Sequence, residues 1–333
     1  MNRVIPTQVD AISMSWRVAR AIRQEGWSGE VLAIHPRSCY ITGEDAEVYA
    51  VVQQPLGNGP LSLVIPPLSD DPLAGLTEGS SVTSTGINLI VGADLAVGLA
   101  QASLWDPKSY PALGANPEAL SHCLAAVYQT ATTRSPEQSL ARLLPHLNDE
   151  DLPKPLRAVG HFPRSQALIA GLTESLGQRN RRSLKVVTSS LAGLGPGLTP
   201  SGDDFLAGLL LALALTQEHR ADAGLTEIAD LLVETAAPRT HEISAAYLRA
   251  AHAGEANERW HALIKALSTG NSTEAAAAAE TVMAFGETSG ADMLAGFLVG
   301  MGVMHTLSPS AWPGMVFPSA EAHPPVDTPR PTT

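Results

Sequence analysis

The chain has 333 residues, 44% of them apolar, a net charge of −12 at neutral pH and only two cysteines. That length allows one large or two ordinary domains, and an acidic balance without a Lys/Arg run excludes a nucleic-acid surface or an anionic membrane as partner. Cys39 and Cys123 make neither a disulfide framework nor a metal cluster and fit a reducing compartment.

Near the start, Val9, Ile12, Trp16, Ala19 and Ile22 recur at helical spacing and predict a helix over residues 8–25, ended by Gly26. No apolar leader segment precedes it, so the expected location is the cytoplasm. Short β-type runs follow at residues 31–34, 46–52, 61–65 and 87–91, separated by Pro, Gly, Asp and Asn clusters. Leu56-Gly57-Asn58-Gly59-Pro60 reads as a turn between two of them, and the segment from Asn88 to Asp106 closes the unit. Residues 1–110 are therefore expected to form a β-rich, barrel-like domain with one helix. Arg37, after a strand end, could hold a carboxylate or phosphate with two hydrogen bonds, the alternative being an ordinary surface turn.

From about residue 116 the strand patterns stop. Helical patterns cover residues 117–131, 136–145, 164–177, 183–192, 203–218, 224–236, 241–253, 256–268, 273–285 and 290–305, rich in Ala and Leu with short loops. The expected fold class is α+β: the β-rich domain, then a larger, mainly helical domain over residues 111–306. A Pro-rich tail over residues 307–333 reads as disordered. His161, His219, His252 and His261 lack zinc-ligand spacing and read as surface or capping residues. No apolar run is long enough to cross a membrane, the longest being residues 205–215.

The helical half is organised around Leu194-Gly195-Pro196-Gly197-Leu198-Thr199-Pro200-Ser201-Gly202-Asp203-Asp204, which joins two helical patterns. Gly195 and Gly197 permit backbone angles closed to other residues and a close approach of ligand to main chain. Thr199, Ser201 and Asp203 suit a helix start, where unpaired N–H groups and the helix dipole favour an anion. Neither a P-loop nor a GxGxxG pattern is present. Asp203 and Asp204 suit an anion only with a cation such as Mg²⁺ between, or by contacting a substrate amide or hydroxyl. A second copy, Glu287-Thr288-Ser289-Gly290-Ala291-Asp292-Met293-Leu294-Ala295-Gly296-Phe297-Leu298, repeats Ser-Gly-x-Asp-x-Leu-Ala-Gly-x-Leu without a gap. If the copies face one another, Ser201, Asp203, Asp204, Ser289 and Asp292 line one polar pocket. Thr240 reads as the cap of a further helix, with Ser244 one turn inside it.

The first motif resembles the hallmark of the AllH family, which includes a subunit of oxamate carbamoyltransferase. Thr288-Ser289-Gly290-x-Asp292-x-Leu294-x-Gly296 is similar to that family's second motif, and Thr240-x-x-Ile243-Ser244 with Leu248 and Ala251 resembles a third. The resemblance is strongest over residues 185–305 and loose in the N-terminal half. It implies a carbamoyltransferase in purine or allantoin nitrogen catabolism. Such an enzyme uses phosphate to split oxalurate into oxamate and carbamoyl phosphate, within a hetero-complex or homo-oligomer. Gly195, Gly197, Thr199, Ser201, Gly202, Thr240, Ser244, Thr288, Ser289 and Arg37 would bind the anionic substrate. Asp203, Asp204 and Asp292 would act in catalysis, the first two also holding Mg²⁺; no organic cofactor is indicated. Two other readings stay open: a Mg²⁺–ATP-dependent kinase or ligase using the same loop, and a non-catalytic ligand-binding or scaffold subunit.

Overall fold

The computed structural model describes residues 6–43, 46–67, 73, 75–113, 116–219 and 222–305. Ten strands come first: β1 (Thr7–Asp10), β2 (Ser13–Ser15), β3 (Glu25–His35), β4 (Ser38–Gly43), β5 (Val48–Gln53), β6 (Ser62–Ile65), β7 (Ser81–Thr85), β8 (Asn88–Val91), β9 (Leu95–Gly98) and β10 (Ser103–Trp105). A single helix, α1 (Trp16–Ile22), lies among them. The helical part holds α2 (Pro117–Arg134), a 3-10 segment (Leu140–His146), α3 (Lys154–Arg157), α4 (Phe162–Gly177), α5 (Arg181–Leu191) and α6 (Ser201–His219). It continues with α7 (Ala223–Ala236), α8 (Glu242–His252), α9 (Glu258–Thr269), α10 (Ser272–Met283) and α11 (Ser289–His305). The architecture is α+β, a curled sheet followed by helices. The expected tail, residues 307–333, lies outside the described residues.

The strands form one sheet in the order β1-β9-β8-β7-β3-β4-β5-β6-β2-β10. β1 begins that order and β2 stands next to its other end, yet only Ala11 and Ile12 separate them. Two linking residues reach no more than about 11 Å, so the sheet must curl until its ends meet. Backbone bonds from Ala11 N–H to Gly98 (2.9 Å) and from Ile12 N–H to Val64 (2.8 Å) stitch that meeting point. The core of the curl is apolar: Met14, Val18, Ile22, Val31, Ile41, Leu63, Val82 and Leu89 are all buried in it.

Helix over residues 8–25 is confined to Trp16–Ile22, where Ser15 caps the start by accepting from Val18 N–H at 3.2 Å. Thr7–Asp10 is taken instead as a parallel partner of β9, because an unpaired sheet edge offers this segment, with β-branched Thr7 and Val9, backbone bonds. Gly26 lies inside β3 at φ +83°, and Arg23 caps the helix. The Leu56–Pro60 turn does connect β5 to β6, but these two run parallel, so the chain doubles back across a loop instead of forming a hairpin. The helical pattern at 136–145 is realised as a 3-10 segment containing Pro145, and α3 arises where none was expected.

A second, larger apolar core fills the helical part, with α6 at its centre: Leu206, Leu209, Leu210, Leu211 and Leu213 have no exposed surface. Between the two cores, Ala33, Val48 and Leu61 of the sheet side pack on Ile243 and Ala246 of α8. That contact sets the sheet against the helices and leaves a cleft beside it.

Candidate functional site

The two motif copies are two similar corners, each with a glycine at positive φ before a Ser-Gly helix start. Gly195 (φ +114°) and Gly197 (φ +99°) turn the first corner and Gly286 (φ +67°) the second. α6 and α11 pack in parallel. Gly208 lies against Met293 and Phe297, Gly296 against Phe205 and Leu209, and Gly300 against Leu209 and Ala212, so contacts climb both helices together. A Cβ on Gly208 would sit 1.7 Å from the Met293 carbonyl oxygen, and one on Gly296 1.8 Å from that of Phe205. Met293 and Phe205 occupy the same place in the two copies, so the pair has local twofold character. The starts of both helices therefore lie side by side, the Thr199 and Ser289 hydroxyls 3.1 Å apart. Two positive dipole ends point the same way.

They point into a cavity of about 490 Å³ between sheet and helices. Of the candidate residues, Gly197, Thr199, Ser201, Asp204, Thr288 and Ser289 line it. The others form a supporting layer or lie elsewhere. Asp203, 2% exposed, accepts from Gly193 N–H (2.9 Å) and from the Thr240 hydroxyl. Thr240 is thus an anchor for Asp203, and His241 rather than Thr240 stands at the N-cap of α8. Ser244 is buried, its hydroxyl without a hydrogen-bond partner. Asp292, fully buried, accepts from Leu140 N–H at 2.6 Å, tying α11 to the 3-10 segment. Gly195 packs on Ser201, and the Gly202 N–H donates to Leu194 at 2.8 Å and is not offered to a ligand. Arg37 is exposed at the β3–β4 turn and is not among the cavity-lining residues.

Of the three motif aspartates, Asp204 is the one that meets the cavity. The Thr199 hydroxyl donates to its Oδ2 at 3.2 Å. Burial pushes Asp204 well above the ordinary carboxylate range, and the nearby Asp292 adds to this. Asp292 is itself pushed up to about 6 by burial, against the opposing Leu140 N–H and the Ser201, Thr288 and Ser139 hydroxyls. Asp203 is raised by burial and restrained by Thr240 and Gly193.

The motifs gave no hint of the rest of the lining. Tyr40 of β4 and Tyr247 of α8 line the cavity with their hydroxyls 3.4 Å apart. His35 and His161 line it too, each with a buried Nε2 that has no hydrogen-bond partner. His161 does stand at the N-cap of α4, but its side chain makes no cap bond and meets the cavity instead, and burial lowers its pKa. His252 pairs with Asp230 (3.1 Å), and His261 meets the Pro107 carbonyl (3.0 Å) and stacks on Trp105. The His219 side chain lies outside the described residues. Tyr40 and the histidines stand in turns and strands without a recognisable spacing, so only the packing of sheet on helices brings them to the loop.

Residues 191–301 match the family model for the oxamate carbamoyltransferase subunit AllH, and residues 10–104 match that of the AllH family N-terminal domain. The chain belongs to the AllH family. The AllH match contains both motif copies and the Thr240–Ser244 segment, while the AllH N-terminal match spans nearly the whole sheet. The N-terminal half, where the sequence resemblance was loose, is thus within the AllH family as well. No solved structure matches the chain.

For a metal, the AllH-type corner offers little convergence. Successive residues on a helix point about 100° apart, and Asp203 and Asp204 accordingly face different partners. Among the described residues no group of three or more His, Cys, Asp and Glu side chains could hold a metal ion. No helix of the described residues is long and apolar enough to cross a membrane.

Proposed function

We propose that this chain is a carbamoyltransferase subunit that binds phosphate, or the phosphoryl end of carbamoyl phosphate, at the paired starts of α6 and α11. The observation that carries the reading is the meeting of two parallel helix N-termini, a glycine loop and four hydroxyls (Thr199, Ser201, Thr288 and Ser289) at one cavity. Such a place favours an oxyanion through the dipoles and short donors. The family description, oxamate carbamoyltransferase subunit, supplies the reaction class. Oxalurate and phosphate would give oxamate and carbamoyl phosphate, in purine or allantoin nitrogen catabolism, within a cytoplasmic assembly of this chain with other subunits.

In that reaction the residues of this chain position and stabilise; no nucleophile is needed beyond the phosphate itself. On binding, the Thr199, Ser201 and Ser289 hydroxyls would turn from the Asp204 and Asp292 carboxyls to donate to phosphoryl oxygens. Asp204, held toward its neutral form, would orient the carbamoyl NH₂ or donate to an oxygen. When charged, it is the one cavity-facing carboxylate of the pair and would be the side chain to hold a Mg²⁺, which would offset negative charge on the bound anion. Asp203, Thr240 and Asp292 would hold the two helix starts in place.

Calorimetric titration of the folded chain with phosphate, carbamoyl phosphate and ATP, each with and without Mg²⁺, tests the proposal. Saturable binding of phosphate and carbamoyl phosphate is expected, weakened about tenfold by Ser201→Ala through one lost hydrogen bond. Asp204→Asn should abolish any Mg²⁺ dependence. Binding of ATP alone would replace the reading with a kinase or ligase. No heat from any anion would leave a scaffold subunit.

A further inference from the structure

The cavity has a second wall that the phosphate reading does not use. Tyr40 is carried by strand β4 and Tyr247 by helix α8, so one phenol comes from each half of the protein. Both line the cavity. Their oxygens are 3.4 Å apart, longer than the 2.7–2.8 Å usual for a strong bond between hydroxyls. Each hydroxyl therefore keeps much of its hydrogen-bonding capacity. A third oxygen at about 2.8 Å from both would complete a triangle on that 3.4 Å base without moving either ring. The ring of His35 stands edge-on to Tyr40 at 6.2 Å. Burial raises the pKa of both phenols, so they remain O–H donors. Asp204 and the helix starts line the same cavity as the two phenols.

Carbamoyl transfer needs such a pair of donors. A phosphate oxygen attacks the carbamoyl carbon, the carbonyl π electrons move to oxygen and then return as the carbon–nitrogen bond breaks. The electron pair of that bond stays on nitrogen, and the proton lost by hydrogen phosphate ends on the departing amide. Negative charge develops on the carbonyl oxygen, and preorganised donors aimed at that oxygen lower the barrier. In the proposed binding mode the phosphoryl oxygens would be served by Thr199, Ser201 and Ser289.

We infer that Tyr40 and Tyr247 form a two-hydroxyl clamp for the carbonyl oxygen of the transferred group, an oxyanion site assembled only where sheet and helices meet. It rests on the carbamoyl-transfer reading. It also assigns the N-terminal sheet a part in the chemistry, since half of the clamp belongs to it.

Two ligands that differ by the carbonyl group isolate the clamp. Inorganic phosphate and carbamoyl phosphate are titrated calorimetrically into the full chain and into Tyr40→Phe, Tyr247→Phe and the double variant. Each Phe keeps the ring and removes only the hydroxyl. The expected result is phosphate binding unchanged within about twofold and carbamoyl phosphate weakened about tenfold in a single variant, more in the double. Equal weakening of both ligands, or of neither, overturns the clamp while leaving the phosphate site standing. If the unsubstituted chain binds neither ligand, the carbamoyl-transfer reading fails and the clamp fails with it.

Discussion

Three aspartates of the repeated motif have three fates, and their neighbours decide each. Asp203 turns inward to Gly193 and Thr240, Asp292 inward to Leu140, and Asp204 alone meets the cavity. Asp292 carries the clearest consequence for stability. Its folded pKa of about 6 lies above the value of about 3.9 for an unfolded Asp. The folded chain thus holds a proton that the unfolded chain releases between these values. Stability from this group is fully present below about pH 4, falls as pH rises, and levels off above about 6, with a slope near 1.4 kcal/mol per pH unit. Asp203 and Asp204, also raised, act with the same sign. Asp292→Asn keeps an oxygen for the Leu140 N–H and removes the titration. Urea unfolding at several pH values should give a shallower slope for the variant over about pH 4–6. Identical slopes would mean that Asp292 is charged in the folded protein.

At the scale of elements, the parallel pair α6 and α11 is what makes two helix starts coincide. Its packing depends on backbone-to-backbone approach at Gly208 and Gly296, where even a methyl group would overlap a carbonyl oxygen. A carbonyl of a buried helix cannot step aside as a flexible side chain can. Gly296→Ala should therefore cost at least about 2 kcal/mol by denaturant unfolding. Gly160→Ala, where a Cβ would meet nothing within 4 Å, should stay within about 0.5 kcal/mol. Equal effects at both sites would show that the helices can separate without loss. The repeat was visible in the sequence at once, because Ser-Gly-x-Asp-x-Leu-Ala-Gly is a local string. That the two copies lie parallel was not, since nothing in either string states which way its partner runs.

At the scale of the molecule, sheet and helices have separate apolar cores, and polar contacts help to align them. Arg17 of α1 holds Glu255 with two bonds of 3.0 and 3.2 Å, and the Asn58 backbone and side chain both donate to Glu258 at 3.0 and 2.8 Å. Glu255 is 3% exposed, so losing its partner strands a buried carboxylate. Arg17→Ala should lower unfolding stability by about 2 kcal/mol, the partly exposed arginine moderating the full cost of a buried pair. Arg17→Lys should recover only part of it, because an ammonium cannot reproduce the forked geometry. A neutral Arg17→Ala would show that the apolar junction at Ile243 and Ala246 aligns the halves unaided. The clamp proposed for Tyr40 and Tyr247 lies across this same junction, so any loosening should also weaken it.

Much of this protein was legible in one dimension. The α+β class followed from the change of apolar period near residue 116, and the glycine corner, its second copy and the family membership followed from local strings. Period and string are properties of neighbours in the chain, and backbone sterics and capping act over that same short range. The failures had the opposite character. Thr7–Asp10 became a strand because β9 had an open edge, and Asp203 became a support because Thr240 lay behind it. Tyr40, Tyr247, His35 and His161 entered the cavity because the sheet packed on α8 and α4 folded beside α11. Which face of a helix start meets the ligand, and which residues stand opposite, is decided by packing between segments distant in sequence, and for that only the tertiary structure holds the answer.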